Sequence, residues 1–207
     1  MDRDIIISKV YQILKKAQTE QEFSIPQIPK NLLNPKTKRE IDYFKYIKDI
    51  HKLIDKDSLT GLSTKTKEGL GVYIFIDGDG LKKINDTLGH EAGTATIKAL
   101  TKGIKSALRR KDNAEISRTG GDEFIVKLEA ISTVTGVKIA NRILDSIHKQ
   151  DISEFYKGDE DVKEKLSKIS LKASLGVGKT KEEADKAMYK AKEKGRNRVE
   201  FHNKKDS

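Results

Sequence analysis

Two acidic clusters stand beside glycines in this chain. Asp77-Gly78-Asp79-Gly80 directly follows the apolar run 71–76, and Asp122-Glu123 follows Gly120-Gly121. Carboxylates at the C-terminal end of a buried strand lie where open α/β sheets place their ligands. Two such clusters brought together offer hard oxygen ligands of the kind Mg²⁺ takes, with positions left for phosphate oxygens. A pair of those ions can activate a hydroxyl and neutralise charge on a phosphate under attack. Taken singly, the first cluster reads as a turn and the second as a hairpin loop. Their occurrence at adjacent strand ends favours a metal–nucleotide site. Cysteine is absent, so thiol nucleophiles, disulfides and Cys–zinc sites are excluded.

The elements that must position these groups are legible around them. Gly71 to Ile76 is a continuous β-branched and aromatic run, typical of a buried strand. A polar stretch rich in Asp and Gly follows, then a helical pattern carried by Ala95, Ile97, Leu100, Ile104 and Leu108. Residues 114–118 and 124–128 read as two short strands around the Gly-Gly-Asp turn. Val134, Val137, Ile139, Ile143 and Ile147 predict another helix, and the mostly charged residues 151–167 a surface excursion. A strand over 169–177, a helix over 182–194 stopped by Gly195, and a last short strand over 198–201 complete the chain. The order is β-α-β-β-α-β with additions, an α/β ferredoxin-like palm arrangement.

Ahead of this domain, assigned to residues 56–203, stand about 55 residues of different character. All three prolines fall between positions 26 and 35, and proline blocks helix interiors and central strands. On either side, Ile6, Val10, Ile13, Leu14 and Ala17, then Ile41, Phe44, Ile47, Ile50 and Ile54, recur at helical spacing. Residues 1–55 therefore read as an N-terminal helical segment, either a cap on the next domain or a dimerising, signal-transmitting element.

With 207 residues, 36% of them charged and a net charge of +10, the chain has room for one domain plus an appendage. The lysines are scattered among acids, and the few aromatics do not interleave with the basic runs, so solvated surface is favoured over a nucleic-acid footprint. No apolar run is long enough to cross a bilayer, and Met1-Asp2-Arg3-Asp4 lacks the order of a signal peptide. The expectation is a cytoplasmic protein without a membrane partner.

Four ordered motifs carry a family resemblance across roughly residues 57–201. Gly120-Gly121-Asp122-Glu123-Phe124, preceded by Arg118, resembles the signature of the GGDEF family of diguanylate cyclases. Residues 75–90, from Phe75 through Asp77, Lys82, Asn85 and Asp86 to Gly89-His90, resemble its D-x-D-x-F-K-x-I-N-D-x-x-G-H segment. Asp57-Ser58-Leu59-Thr60-Gly61-Leu62 is similar to its opening motif, and residues 174–177, 184–192 and Gly195-Arg196-Asn197 to its closing ones.

The resemblance implies a nucleotidyl-cyclase and polymerase palm in which two GTP-loaded monomers of a homodimer meet. Each 3′-hydroxyl would attack the other nucleotide's α-phosphate, giving cyclic di-GMP and two pyrophosphates. It implies Mg²⁺ or Mn²⁺, two per site, held by Asp77, Asp122 and the Gly78 carbonyl, with Glu123 assisting metal binding or deprotonation. The amides of Gly80, Leu81 and Lys82 would cradle the terminal phosphates, and Lys192 and Arg196 would neutralise them. Asn85 would bond the guanine. His90 would either line the base pocket or simply begin a helix.

Three departures from the family pattern bear on function. Thr94 stands where the family usually has an aspartate that accepts hydrogen bonds from guanine. A hydroxyl can donate as well as accept, which weakens rejection of ATP. A branch of the family with a small hydroxyl residue here makes cyclic GMP-AMP, so a relaxed or mixed product is one alternative. A non-catalytic nucleotide sensor is another. Fewer than fifteen residues separate Leu62 from Asp77, where the family normally fits a helix. Arg109-Arg110-Lys111-Asp112 fits the family's inhibitory R-x-x-D string but lies two residues farther from Arg118 than usual, which argues against a working product-inhibition site.

Overall fold

The computed structural model describes residues 55–203. The helices expected ahead of residue 55 lie outside them. The chain parts into two compact units, Met1–Asp57 and Ser58–Ser207. Every described strand and helix belongs to the second.

Five strands form one sheet in the order β2-β3-β1-β4-β5: β1 (Val72–Gly78), β2 (Ala114–Gly120), β3 (Glu123–Leu128), β4 (Ala173–Gly178) and β5 (Val199–Phe201). The central β1 runs antiparallel to both β3 and β4, and β5 is parallel to β4. Helices α1 (Leu81–Leu88), α2 (His90–Ala107), α3 (Thr133–His148), α4 (Glu160–Ser167) and α5 (Lys181–Glu193) connect them. This is the palm arrangement expected from the order of elements.

Alternation along β1 sends its side chains to two different layers. Ile74 and Ile76 join Leu100, Ile104, Ile139, Ile143, Phe124 and Val126 in the main core, under α2 and α3. Tyr73 and Phe75 face the opposite way, with Ile125 and Ala184 of α5. Asp77 shares the parity of Tyr73 and Phe75, so its carboxylate belongs to the α5 side of the sheet.

The structure corrects four expectations. The first strand continues through Asp77 and Gly78 rather than stopping at Ile76. The polar stretch after it holds a helix, α1. The fourth strand begins at Ala173, because Ala173 pairs with Gly78, the last residue of β1, and no partner extends beyond. Residues 151–167 are not merely a surface excursion: α4 forms within them, and Ile152 and Leu166 are fully buried.

The segment where the family fits a helix is a strap of residues 63–69 on the α5 side. The Arg118 amide donates to the Ser63 carbonyl (2.8 Å), and the hydroxyls of Thr66 and Ser117 bond to each other. Tyr73 Oη donates to the Gly69 carbonyl (2.7 Å) and Lys127 Nζ to the Glu68 carbonyl (3.2 Å). Lys127 is only 4% exposed and also pairs with Glu129, so its buried charge is satisfied by the strap and this partner.

Candidate active site

Cross-strand pairing assembles the carboxylates. Asp77 stands opposite Glu123 on β3 and opposite Ser174 on β4. The two-residue turn Gly121-Asp122 joins β2 to β3, with Gly121 at φ +41°, a conformation that suits glycine. Arg118 fixes this turn by donating Nε and Nη2 to the Gly121 carbonyl at 2.9 and 2.6 Å. The Gly78 amide donates to the Asp122 carbonyl (3.2 Å). A side chain at residue 78 would lie 2.5 Å from Leu100 Cδ1 and 3.2 Å from Asp122 Cβ. Glycine at this position leaves room for Leu100 and for the close approach of Asp122 to the end of β1.

Asp122 has its carboxyl pushed above the ordinary carboxylate value, first by burial and then by the neighbouring charge of Asp77. Lys192 at the end of α5 counters this in part and sets Nζ 2.7 Å from Asp77 Oδ2. That reach depends on how closely α5 lies on β4. A Cβ at Gly176 would stand 2.7 Å from Met188 Cα and would strike the Ala184 carbonyl and the Met188 amide. Backbone therefore rests on backbone at Gly176, which carries the end of the helix to the carboxylates.

Two carboxylates crowded by burial, already drawing an ammonium group, have the chemistry of a divalent-cation site. The donors that the family resemblance implies are Asp77, Asp122 and the Gly78 carbonyl; among the described residues no cluster of three acidic, histidine or cysteine side chains gathers. A metal ion bound there would supply charge neutralisation and a more acidic hydroxyl.

The phosphate and base groups expected from the sequence lie on α1, at the start of α2 and at the end of α5 with the loop after it. Gly80 caps α1 in a left-handed conformation (φ +89°), without a side-chain cap and with no acid in the first turn. The first intrahelical bond is Ile84 N to the Gly80 carbonyl, so the amides ahead of it, at Leu81, Lys82 and Lys83, point out of the helix toward any anion placed there. Asn85, on the next turn, lies against Gly93 so closely that a methyl there would stand 2.8 Å from Asn85 Cγ. Thr94 is the next residue of α2 and is half-buried. His90 is exposed at the first position of α2, behind Gly89. Arg196 is largely exposed, with Nε 3.9 Å from Asp79 Oδ1.

From sequence, Asp79 reads either as a supporting partner of the neighbouring acidic site or as a solvated charge; in the structure its side chain is 7% exposed and bonded on both oxygens, as a supporting partner would be. Gly93 and Gly176 act through the space they leave, a role hidden until their neighbours are known. In the R-x-x-D string, Asp112 is buried and accepts from the Arg109 amide (2.7 Å) and from Arg142; its carboxylate is engaged within the fold.

Comparison with known proteins agrees with this geometry. The family model "Diguanylate cyclase, GGDEF domain" matches residues 54–198. The chain belongs to the GGDEF family. This GGDEF chain is 38% identical over 147 residues to diguanylate cyclase A of Treponema denticola, a match covering 66% of the chain and 36% of that protein. It thus spans about a third of the length of that relative. A structure of the GGDEF domain alone of Pseudomonas aeruginosa TpbB (YfiN) superimposes with a TM-score of 0.58 at 26% identity, covering 73% of this chain and 96% of that one. The active GGEEF domain of a diguanylate cyclase from Vibrio cholerae does so with a TM-score of 0.52 at 28% identity, covering 65% and 84%. Among the described residues, no helix is long and apolar enough to cross a membrane.

Proposed function

We propose that this protein is a cyclic-dinucleotide synthase that condenses two GTP into cyclic di-GMP and two pyrophosphates, with the reacting nucleotides held on two copies of the chain. The observation that carries this reading is the pairing of Asp77 and Asp122 at the end of β1, with Lys192 on the first and the bare amides of α1 beside them. In each half-reaction the 3′-oxygen of one nucleotide bonds to the α-phosphorus of the other. The bond from that phosphorus to the bridging oxygen breaks, pyrophosphate leaves and the hydroxyl proton is released. Glu123, opposite Asp77, would assist metal binding or help remove that proton. Asp77, Asp122 and the Gly78 carbonyl would hold Mg²⁺ or Mn²⁺.

The amides at Gly80, Leu81 and Lys82 and the cations Lys192 and Arg196 would bind the departing phosphates. Lys192 exchanges its contact with Asp77 for those phosphates when nucleotide and cation enter. Asn85 and Thr94 would read the base; neither side chain hydrogen-bonds to another described residue, which leaves both for a ligand. Thr94 also supports a second product, an adenine-containing cyclic dinucleotide, because its hydroxyl serves either purine edge. The site favours an enzyme over a nucleotide sensor, since Asp77, Asp122 and Glu123 are all present.

Incubation of the purified protein with GTP, ATP or both and Mg²⁺ or Mn²⁺, with products identified by mass, tests this. Cyclic di-GMP from GTP alone is expected. A mixed product would make Thr94 the specificity element. Nucleotide binding without any product would overturn the synthase reading in favour of a sensor.

A further inference from the structure

The loop after α5 bends through three successive left-handed residues, Gly195 (φ +101°), Arg196 (φ +63°) and Asn197 (φ +50°). Glycine accepts this conformation freely, whereas arginine does not, and Asn tolerates it only in part. Something must hold the two non-glycine residues there. The Arg196 amide returns to the Ala191 carbonyl (2.9 Å). The Asn197 amide donates to Asp79 Oδ2 (3.0 Å), and its side-chain Oδ1 meets His148 Nε2 at 2.7 Å. The other oxygen of Asp79 accepts from Ser174 Oγ (2.9 Å), a side chain buried in β4, and faces Arg196 Nε. Asp79 itself is the residue immediately before the amide cradle of α1, and its own amide is fixed on the Lys172 carbonyl (3.0 Å).

We propose that Asp79 is a positioning residue: it latches the Arg196–Asn197 loop in its left-handed conformation, so that Arg196 stays beside the phosphate cradle at 80–82. This rests on the nucleotide-site reading above and adds to it a carboxylate that touches no substrate. A buried carboxylate accepting two hydrogen bonds across three separate segments is rigid. Arg196, by contrast, is exposed and its long side chain would otherwise wander, losing rotamer freedom only when a phosphate binds.

Asp79→Asn keeps the volume but removes the charge facing Arg196 and one acceptor. Its affinity for GTP, measured calorimetrically with Mg²⁺, is expected to fall about tenfold, as for loss of one charge-assisted contact. Affinity for GMP, which lacks the terminal phosphates, is expected to hold. In an Arg196→Ala background the Asp79→Asn effect on GTP should vanish, because the latch then holds nothing. Ser174→Ala, a gentler change that leaves the Asn197 bond, should give a smaller loss with the same dependence on Arg196. Equal losses for GTP and GMP, or an undiminished Asp79→Asn effect without Arg196, would overturn the proposal and leave Asp79 a structural residue. Wild-type protein binding neither nucleotide would instead overturn the nucleotide-site reading itself.

Discussion

Gly93→Ala separates fold from function sharply. Gly93 lies inside α2, where alanine is favoured over glycine by about 1 kcal/mol. Its new methyl would sit 2.8 Å from Asn85 Cγ and collide with Oδ1. Asn85 can swing away at little cost, since its side chain has no hydrogen bond to another described residue to lose and is only half-buried. Melting temperature is therefore expected to hold or to rise by about 2–4 °C. Nucleotide affinity is expected to fall, because Asn85 no longer stands where it meets the base. One or two amide–base hydrogen bonds correspond to about 1–3 kcal/mol, or roughly 5–150-fold in affinity. Asn85→Ala should show a loss of the same size. The double variant should lose no more than either single one, since both remove one contact. Calorimetric titration of GTP against the four proteins measures the cycle. Unchanged affinity in Gly93→Ala, or losses that add in full, would refute the assignment of Asn85 to the base.

Three other outcomes are expected from named contacts. Because the folded-state carboxyl of Asp122 is raised above its unfolded value of 3.8, its contribution to stability is fully present below that value. The contribution is lost as pH climbs through the raised folded value. Asp122→Asn should therefore melt higher than wild type in chelator at neutral pH, gain nothing from added Mg²⁺ and make no product; a lower melting temperature in chelator would count against the repulsion with Asp77. Thr94→Asp should raise the preference for GTP over ATP in competition assays, and unchanged selectivity would remove Thr94 from the base contact. Gly176→Ala forces α5 off β4, an overpacking cost of about 3 kcal/mol; a fall of about 6–12 °C in melting temperature is expected, with synthesis lost as Lys192 recedes from Asp77, and wild-type melting would contradict the close packing.

Much of this protein was determined by sequence alone, for reasons local to the chain. The continuous β-branched and aromatic run before Asp77 read as a buried strand, and Gly120-Gly121-Asp122 between two short strand-like segments marked a hairpin. Those two facts, with the ordered motifs, placed both acidic clusters at strand ends. The first helix escaped because it is only eight residues long, follows directly on Asp-Gly-Asp-Gly and carries just three apolar residues, Leu81, Ile84 and Leu88, at helical spacing among polar ones. Residues 151–167 read as surface because Ile152 and Leu166 are isolated among charges, although each is fully buried.

Tertiary structure alone decided which groups meet. Register made Glu123 and Ser174 the neighbours of Asp77, and a one-residue slip would have turned the carboxylate into the α2 side of the sheet. Contacts between residues far apart in the chain, such as Asp79 with Ser174 and Asn197 or Lys192 with Asp77, leave no periodic trace in sequence. The same holds for the glycines that make room for them. Composition and spacing record what a residue can do, whereas the close approach of Gly78, Gly93 and Gly176 to their neighbours decides which residues do it together.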